Sequence, residues 1–425
     1  MKGMFRFLTF TAALLIATQA RAGQPEGERT LDSLVALALE RNPSVAAARY
    51  QAEADLGRSR YAGWLPDPQL SVGLMNLPGG ALDFDRTMMS GIQVGLSQGL
   101  PWPGKLSARS KIADLTVERS RADAAIQENA LVRMVTVAYA NYSYWALSRE
   151  VLDENLRLVR DLKTVAETNY ANGRGSAQDV LRTETAMARL ENRILMADQQ
   201  RSSALVELAR LTNSPDLTAA SLPPYLAAAD QQADSADQEF SAVANPAAVR
   251  AAYQTDIMSG QVDLAHADYW PDFMLGVDYT IRQETPMDAV RGQDYLTFKV
   301  GLKLPLWFFK RQKNQSAAAG QMLLATRATE ESVNDELERR HADVVLALRS
   351  LSERLKQYDN AIMPQARAAF EAAEIAYEVG KVDFNGLLAT ERDLLEIELE
   401  RLDLLRSHMQ QQAMLKELTT GFETR

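Results

Sequence analysis

The sequence predicts an α+β membrane protein, a long antiparallel α-helical coiled coil joined to four membrane-length β-strands and built as an internal two-fold repeat. Three observations predict it. A turn motif occurs twice, as YANGRGSAQDVLRTE at 170–184 and YEVGKVDFNGLLATE at 377–391. A helical stretch almost free of Gly and Pro precedes each copy, at 105–170 and 312–379. Upstream of each stretch lie two segments in which apolar and polar residues alternate with period two.

The repeat is traced residue by residue. An offset of 207 carries Tyr170, Gly173, Leu181, Thr183 and Glu184 onto Tyr377, Gly380, Leu388, Thr390 and Glu391. Further upstream, Asn42-Pro43 answers Asn245-Pro246 and Pro66-Asp67 answers Pro271-Asp272. A unit of about 200 residues far exceeds a solenoid repeat, so the chain is a duplication and not an array.

Taken in order, the chain opens with Lys2 and Arg6, an apolar run at 7–17 and the small-x-small site Ala20-Arg21-Ala22. This reads as a secretory signal (1–22) cleaved after Ala22. An uncleaved membrane anchor would need about 20 apolar residues. Removing the signal leaves 43 basic against 56 acidic side chains, a net charge of −13 that disfavours nucleic acid as a partner. The chain has no cysteine, which excludes disulfides, thiolate metal sites, thiol catalysis and a lipid anchor on an N-terminal cysteine.

The first repeat spans 23–212. A short helix at 31–41 ends at Asn42-Pro43, and a second, at 44–64, stops at Pro66-Asp67-Pro68, where proline removes a donor. Strands follow at about 68–76 and 88–98, joined by a loop containing Pro78-Gly79-Gly80. After a linker at 213–244, read as an irregular belt around the bundle, the second repeat (245–425) places its strands at about 272–283 and 293–304. Each strand is long enough to cross a bilayer at a tilt. Trp64, Trp102, Trp270 and Trp307 sit just outside the four strands, each at the end adjoining a helix, and form a candidate girdle at one membrane interface. Alternation alone fits a half-buried soluble sheet equally well; the signal and the tryptophans favour the membrane. Four strands cannot close a barrel and open edges are not tolerated in lipid, so the barrel must be shared between chains.

The long helices reach on the order of 100 Å at ~1.5 Å per residue. Val344, Leu348, Leu351, Leu355, Tyr358 and Ile362 step by fours and threes, the seam of a coiled coil. Return helices at 176–211 and 384–418, stacked on the short helices at 44–64 and 246–268, match the long ones in length. Both strand pairs then lie at one end and both turns, at about 170–181 and 377–388, at the other.

No motif for an enzyme, cofactor or metal stands out. His266, His341 and His408 lie far apart and read as surface or seam residues. Met88-Met89 reads as strand or loop filler in preference to a soft metal contact, and the acidic run at 391–400 as a solvated helix face or tunnel lining.

The signal, the duplicated plan and the turn patterns Tyr-x-x-Gly-(x)6-Val-Leu and Tyr-x-x-Gly-(x)6-Leu-Leu resemble the TolC family of outer-membrane efflux proteins over essentially the whole mature chain. The resemblance implies a homotrimer whose chains supply four strands each to one 12-stranded barrel in outer-membrane lipid. It also implies a periplasmic helical tunnel, a periplasmic adaptor and an inner-membrane resistance-nodulation-division pump. The segment QGLPWPGK at 98–105, with Pro66-Asp67-Pro68, is most similar to the heavy-metal (CzcC/CusC-like) branch, which implies passive conduction of metal cations. Export of drugs or other organic compounds, or type I secretion, is the alternative within the same fold. A periplasmic coiled-coil adaptor would instead show a single helical hairpin.

By the same resemblance, the turns at Gly173 and Gly380 form a periplasmic tip that meets the adaptor, with Ser176, Asp179, Val180, Leu181, Asp383, Leu387 and Leu388 around them. Glycine as a mere helix stop, with the leucines sealing the bundle, is the competing reading. Asp179 matches a position that takes part in tip-closing contacts. Where many drug exporters carry two gate aspartates, this chain has Gly386 and Ala389, with Asp383 and Glu391 nearby.

Overall fold

A computed structural model describes residues 30–77, 89–226, 240–284 and 292–422. The signal, the Pro78-Gly79-Gly80 loop, Met88 and the middle of the belt lie outside these residues. Two short helices, α1 (Leu31–Arg41) and α2 (Pro43–Ala62), lead into strands β1 (Gln69–Met75) and β2 (Gly91–Leu100). Helices α3 (Lys105–Ala171) and α4 (Ala177–Leu211) complete the first half. The second half repeats the plan as α5 (Pro246–Ala267), β3 (Asp272–Arg282), β4 (Tyr295–Lys303), α6 (Arg311–Gln357), α7 (Met363–Glu378) and α8 (Phe384–Thr419).

The duplication extends to individual hydrogen bonds. Asn42 caps α2 by accepting from Ser44 N at 2.9 Å while its amide donates to the Leu211 carbonyl at 2.8 Å. Asn245 caps α5 by accepting from Ala247 N at 2.9 Å and donates to the Leu418 carbonyl at 2.9 Å. Each asparagine thus joins the start of a short helix to the end of a return helix. The 20-residue α2 continues the 35-residue α4, and the pair runs beside the 67-residue α3. Buried small residues of α3, among them Ala138, Ala140 and Ser143, let its neighbours approach closely.

The predicted long helix at 312–379 is not continuous. Gly320 lies inside unbroken α6, but a five-residue π-turn at Tyr358–Ile362 separates α6 from α7. Pro364 lacks the N–H that an α-helix would offer to the carbonyl four residues earlier, and the wider turn absorbs the mismatch. The heptad seam holds up to that point: Val344, Leu348 and Leu355 are buried, and Leu351 and Tyr358 pack on the middle core.

Three apolar clusters follow one another along the bundle. The middle one joins Leu34, Leu131, Val135, Leu208, Leu222 and Leu355, and the belt closes over it as the Tyr139 and Tyr142 hydroxyls donate to the Pro223 and Leu222 carbonyls. The turn-end cluster includes Leu152, Val159, Leu190, Phe384, Leu387 and Leu395. A third, around Leu337, Val344, Leu348 and Leu415, packs the start of the second half. Each fully buried leucine contributes about 1.5–3 kcal/mol.

Candidate functional site

The four strands form one antiparallel sheet in the order β1-β2-β3-β4. The ladder aligns Leu70, Leu96, Val277 and Phe298 in one row and Val72, Val94, Tyr279 and Leu296 in the next. One face is therefore apolar along these rows, with Gln98 beside Leu275 at its rim, and it is bare: Leu70, Val72, Phe298 and Val300 are 70, 68, 74 and 75% exposed. The opposite face is polar. There the Gln93 amide donates to Asp278 Oδ2 at 2.8 Å, and Lys299 pairs with the same carboxylate. Gly95 lies beneath Asp278 and Ser71, where an added Cβ would collide with both side chains. Strand β2 runs two residues past the expected 98, because Leu100 still pairs with Phe273.

The register brings all four helix-adjoining strand ends to one rim, since Gln69 pairs with Ser97, Leu100 with Phe273, and Asp272 with Lys303. Trp64, Trp102, Trp270 and Trp307 adjoin this rim. Trp64, Trp270 and Trp307 are exposed, while Trp102 stacks on Trp270 at 4.8 Å between centroids and on Phe273 at 5.8 Å. Sequence reasoning missed what fastens this rim. Lys105, buried at the first position of α3, places Nζ 2.8 Å from Asp272 and 3.2 Å from Asp268, and Trp102 N donates to Asp272 at 3.0 Å. One lysine ties β2 and α3 of the first half to α5 and β3 of the second. The available signal was the repeat's own Pro-Asp pair at 271–272.

At the other end the two turns have matching geometry. Gly173 and Gly380 both adopt φ +71°. In the first turn Gly173 N donates to Tyr170 O at 3.0 Å and Arg174 N to Asn169 O at 2.9 Å. In the second, Gly380 N donates to Tyr377 O at 3.0 Å and Lys381 N to Ala376 O at 2.8 Å. A cross-repeat bond from the Asn169 amide to the Tyr377 hydroxyl, 3.1 Å, fastens the turns together. An added Cβ meets open space at Gly380, so Gly380→Ala tests backbone conformation alone. It is expected to lower stability by about 1–2 kcal/mol in equilibrium denaturation.

The polar turn residues act as helix caps. Ser176 Oγ accepts from Gln178 N at 3.0 Å and Asp179 reaches back to Ser176 N at 3.2 Å, a capping box legible in Ser-Ala-Gln-Asp. Asp383 caps α8 by accepting from Gly386 N at 2.9 Å. Val180 is half-buried and Leu181 is 62% exposed.

Two expectations need correction. Leu387 and Leu388 are 0 and 3% exposed, sealed into the turn-end cluster, and offer no surface to a partner. Their repeat mates differ because α8 packs against α3, α6 and α7, whereas α4 lies at the edge of the bundle against α3. The acidic run at 391–400 is not uniformly solvated either. Glu391 is 2% exposed, since it falls on the same helical stripe as Leu388 and Leu395. Of the histidines, His408 is buried with Nε2 3.3 Å from Ser352 Oγ, and His341 stacks on Phe240 at 4.2 Å. Among the described residues no cluster of three His, Cys, Asp or Glu could hold a metal, and no helix is long and apolar enough to cross a membrane.

A family model described as outer membrane efflux protein matches residues 34–214 and 241–421. The pyoverdine export outer membrane protein OpmQ of Pseudomonas putida is 25% identical over 92% of this chain and 86% of its own length. Among solved structures, the outer membrane protein VceC of Vibrio cholerae superposes with a TM-score of 0.78 at 19% identity, covering 92% of this chain and 97% of VceC. CusC superposes with a TM-score of 0.75 at 16% identity, covering 95 and 96%. Since the family model matches both halves of the duplication and so most of the sequence, the chain belongs to the outer membrane efflux protein family.

Proposed function

We propose that three copies of this chain close their four-stranded sheets into one 12-stranded barrel in the outer membrane. The helices would continue it as a passive conduit through the periplasm. The observation that carries this reading is the sheet itself: one bare apolar face, one polar face and two open edges. An isolated sheet of this kind is unstable in water and not tolerated in lipid, and edge-to-edge closure with further copies removes both problems. The apolar face then meets lipid, the polar face lines water, and the exposed tryptophans at the shared rim lie at the headgroup level.

In this reading the turn end of the bundle receives substrate from an inner-membrane pump through a periplasmic adaptor, with Leu181 as the exposed apolar contact. Gly173 and Gly380 shape the turns, and Ser176, Asp179 and Asp383 cap the helices that leave them. The chain supplies no energy and performs no chemistry. Heavy-metal cations are the proposed cargo, on the resemblance of the QGLPWPGK segment at 98–105 to the heavy-metal branch of the family. Export of an organic compound is the second reading, favoured by the likeness to a pyoverdine export protein. Growth of a deletion strain and its complemented parent across metals, dyes and antibiotics separates them. Sensitivity confined to a few metals supports the first reading; broad sensitivity to organic compounds overturns it.

The membrane assignment has its own test. Val300→Arg puts a charge on the apolar face and is expected to disfavour insertion by roughly 2–4 kcal/mol near mid-membrane, seen as lost outer-membrane yield. Thr297→Arg, on the polar face, is the control. Equal yield from both variants would contradict the assignment of faces.

A further inference from the structure

Glu391 is a buried carboxyl that the conduit does not use. It sits on α8 between Leu388 and Leu395, facing the turn-end cluster, and its Oε1 has no hydrogen-bond partner. Against it lies Asn155 of α3, itself 8% exposed, whose Oδ1 also lacks a partner. Both orphaned atoms are acceptors. The Asn155 amide donates to the carboxyl, yet Oε1 still has no donor, so a carboxylate leaves a partly unsatisfied charge among apolar side chains, whereas a carboxylic acid leaves no charge to satisfy.

We propose that Glu391 is a proton-operated latch: α8 seats firmly against α3 while the carboxyl carries a proton, and the turn end loosens when the proton leaves. The repeat supplies an internal contrast. At the equivalent position of the first half, Glu184 is exposed and paired with Lys163 at 3.0 Å, an ordinary surface ion pair. The duplicated turn therefore holds one charged and one sequestered glutamate.

Charge around the latch supports the assignment. Desolvation pushes the Glu391 carboxyl up to about 7, opposed first by the Asn155 amide and then by the charges of Arg392 and Arg193. Arg392 lies on α8 itself and Arg193 on α4, and neither forms an ion pair with Glu391. From α3 the facing polar group is the neutral Asn155, and α7 contributes Phe370 and Ala373 to the same cluster. A group with this upward shift binds its proton more tightly when seated than when hydrated. Seating is therefore strongest below the ordinary glutamate range and weakens as pH rises toward 7. The latch concerns packing within one chain and stands apart from what the turn end meets.

Hydrogen exchange of the α8 amides in the full-length protein in bilayers, at pH 5.5 and 7.5 and corrected for intrinsic rates, tests it. In the wild type the opening constant of residues 387–399 is expected to rise on the order of ten-fold between the two pH values. Glu391→Gln, a neutral isostere, is expected to hold the low-pH value at both. Glu184→Gln is expected to behave as wild type. A flat wild-type profile overturns the proposal whether or not the variants fold, as does an unchanged rise in Glu391→Gln.

Discussion

Leu388→Asp is expected to unravel the turn end of the bundle, while Leu181→Asp, at the matching position of the other repeat, leaves the fold intact and abolishes export. Leu388 is 3% exposed among Val159, Leu190, Phe384 and Leu395. An aspartate there forfeits the burial of a leucine and places a carboxylate without a partner in the cluster, together more than about 4 kcal/mol. Leu181 is 62% exposed, and substitutions at such positions stay within about 0.5 kcal/mol. Thermal unfolding and limited proteolysis measure the first effect, and a growth assay under the exported toxicant measures the second. Normal export from Leu181→Asp would remove this residue from the proposed adaptor contact without touching the fold.

The second large effect is expected at Lys105. Lys105→Met removes a cation that is 3% exposed and leaves Asp268 and Asp272 facing each other. Breaking a buried pair costs about 3–5 kcal/mol; here roughly 2–3 kcal/mol is expected, because both carboxylates keep about a third of their exposure to water. The lost lysine also frees the rim of the sheet from α3, so assembly in the membrane should fall with stability. A double-mutant cycle with Asp272→Asn measures the coupling. Additive effects of the two substitutions would show that the pair does not fasten the rim.

Much of the plan was legible because each element carries its own period and stop signals. Asn-Pro at 42–43 and 245–246 marks both stacked-helix junctions, and alternation around Leu70, Val94, Val277 and Phe298 fixes a common apolar face. The remainder depends on neighbours that one sequence does not display. Leu181 and Leu388 look equivalent in the repeat, yet an edge helix exposes one and an interior helix buries the other. Glu391 reads as part of an acidic run until its spacing from Leu388 and Leu395 places it on the packed stripe. The capping box at Ser176 and Asp179 was written in the sequence and concealed behind a contact role implied by resemblance. The π-turn at Tyr358–Ile362 follows from Pro364, but how a helix absorbs a missing donor depends on its packing.

In the proposed assembly one chain supplies a third of a closed barrel. Native mass measurement of the protein extracted from outer membranes in mild detergent tests it most directly. The expected result is a species three times the mass of the mature chain, recovered from the membrane fraction. A monomer, or a protein released into the soluble periplasmic fraction, would contradict it.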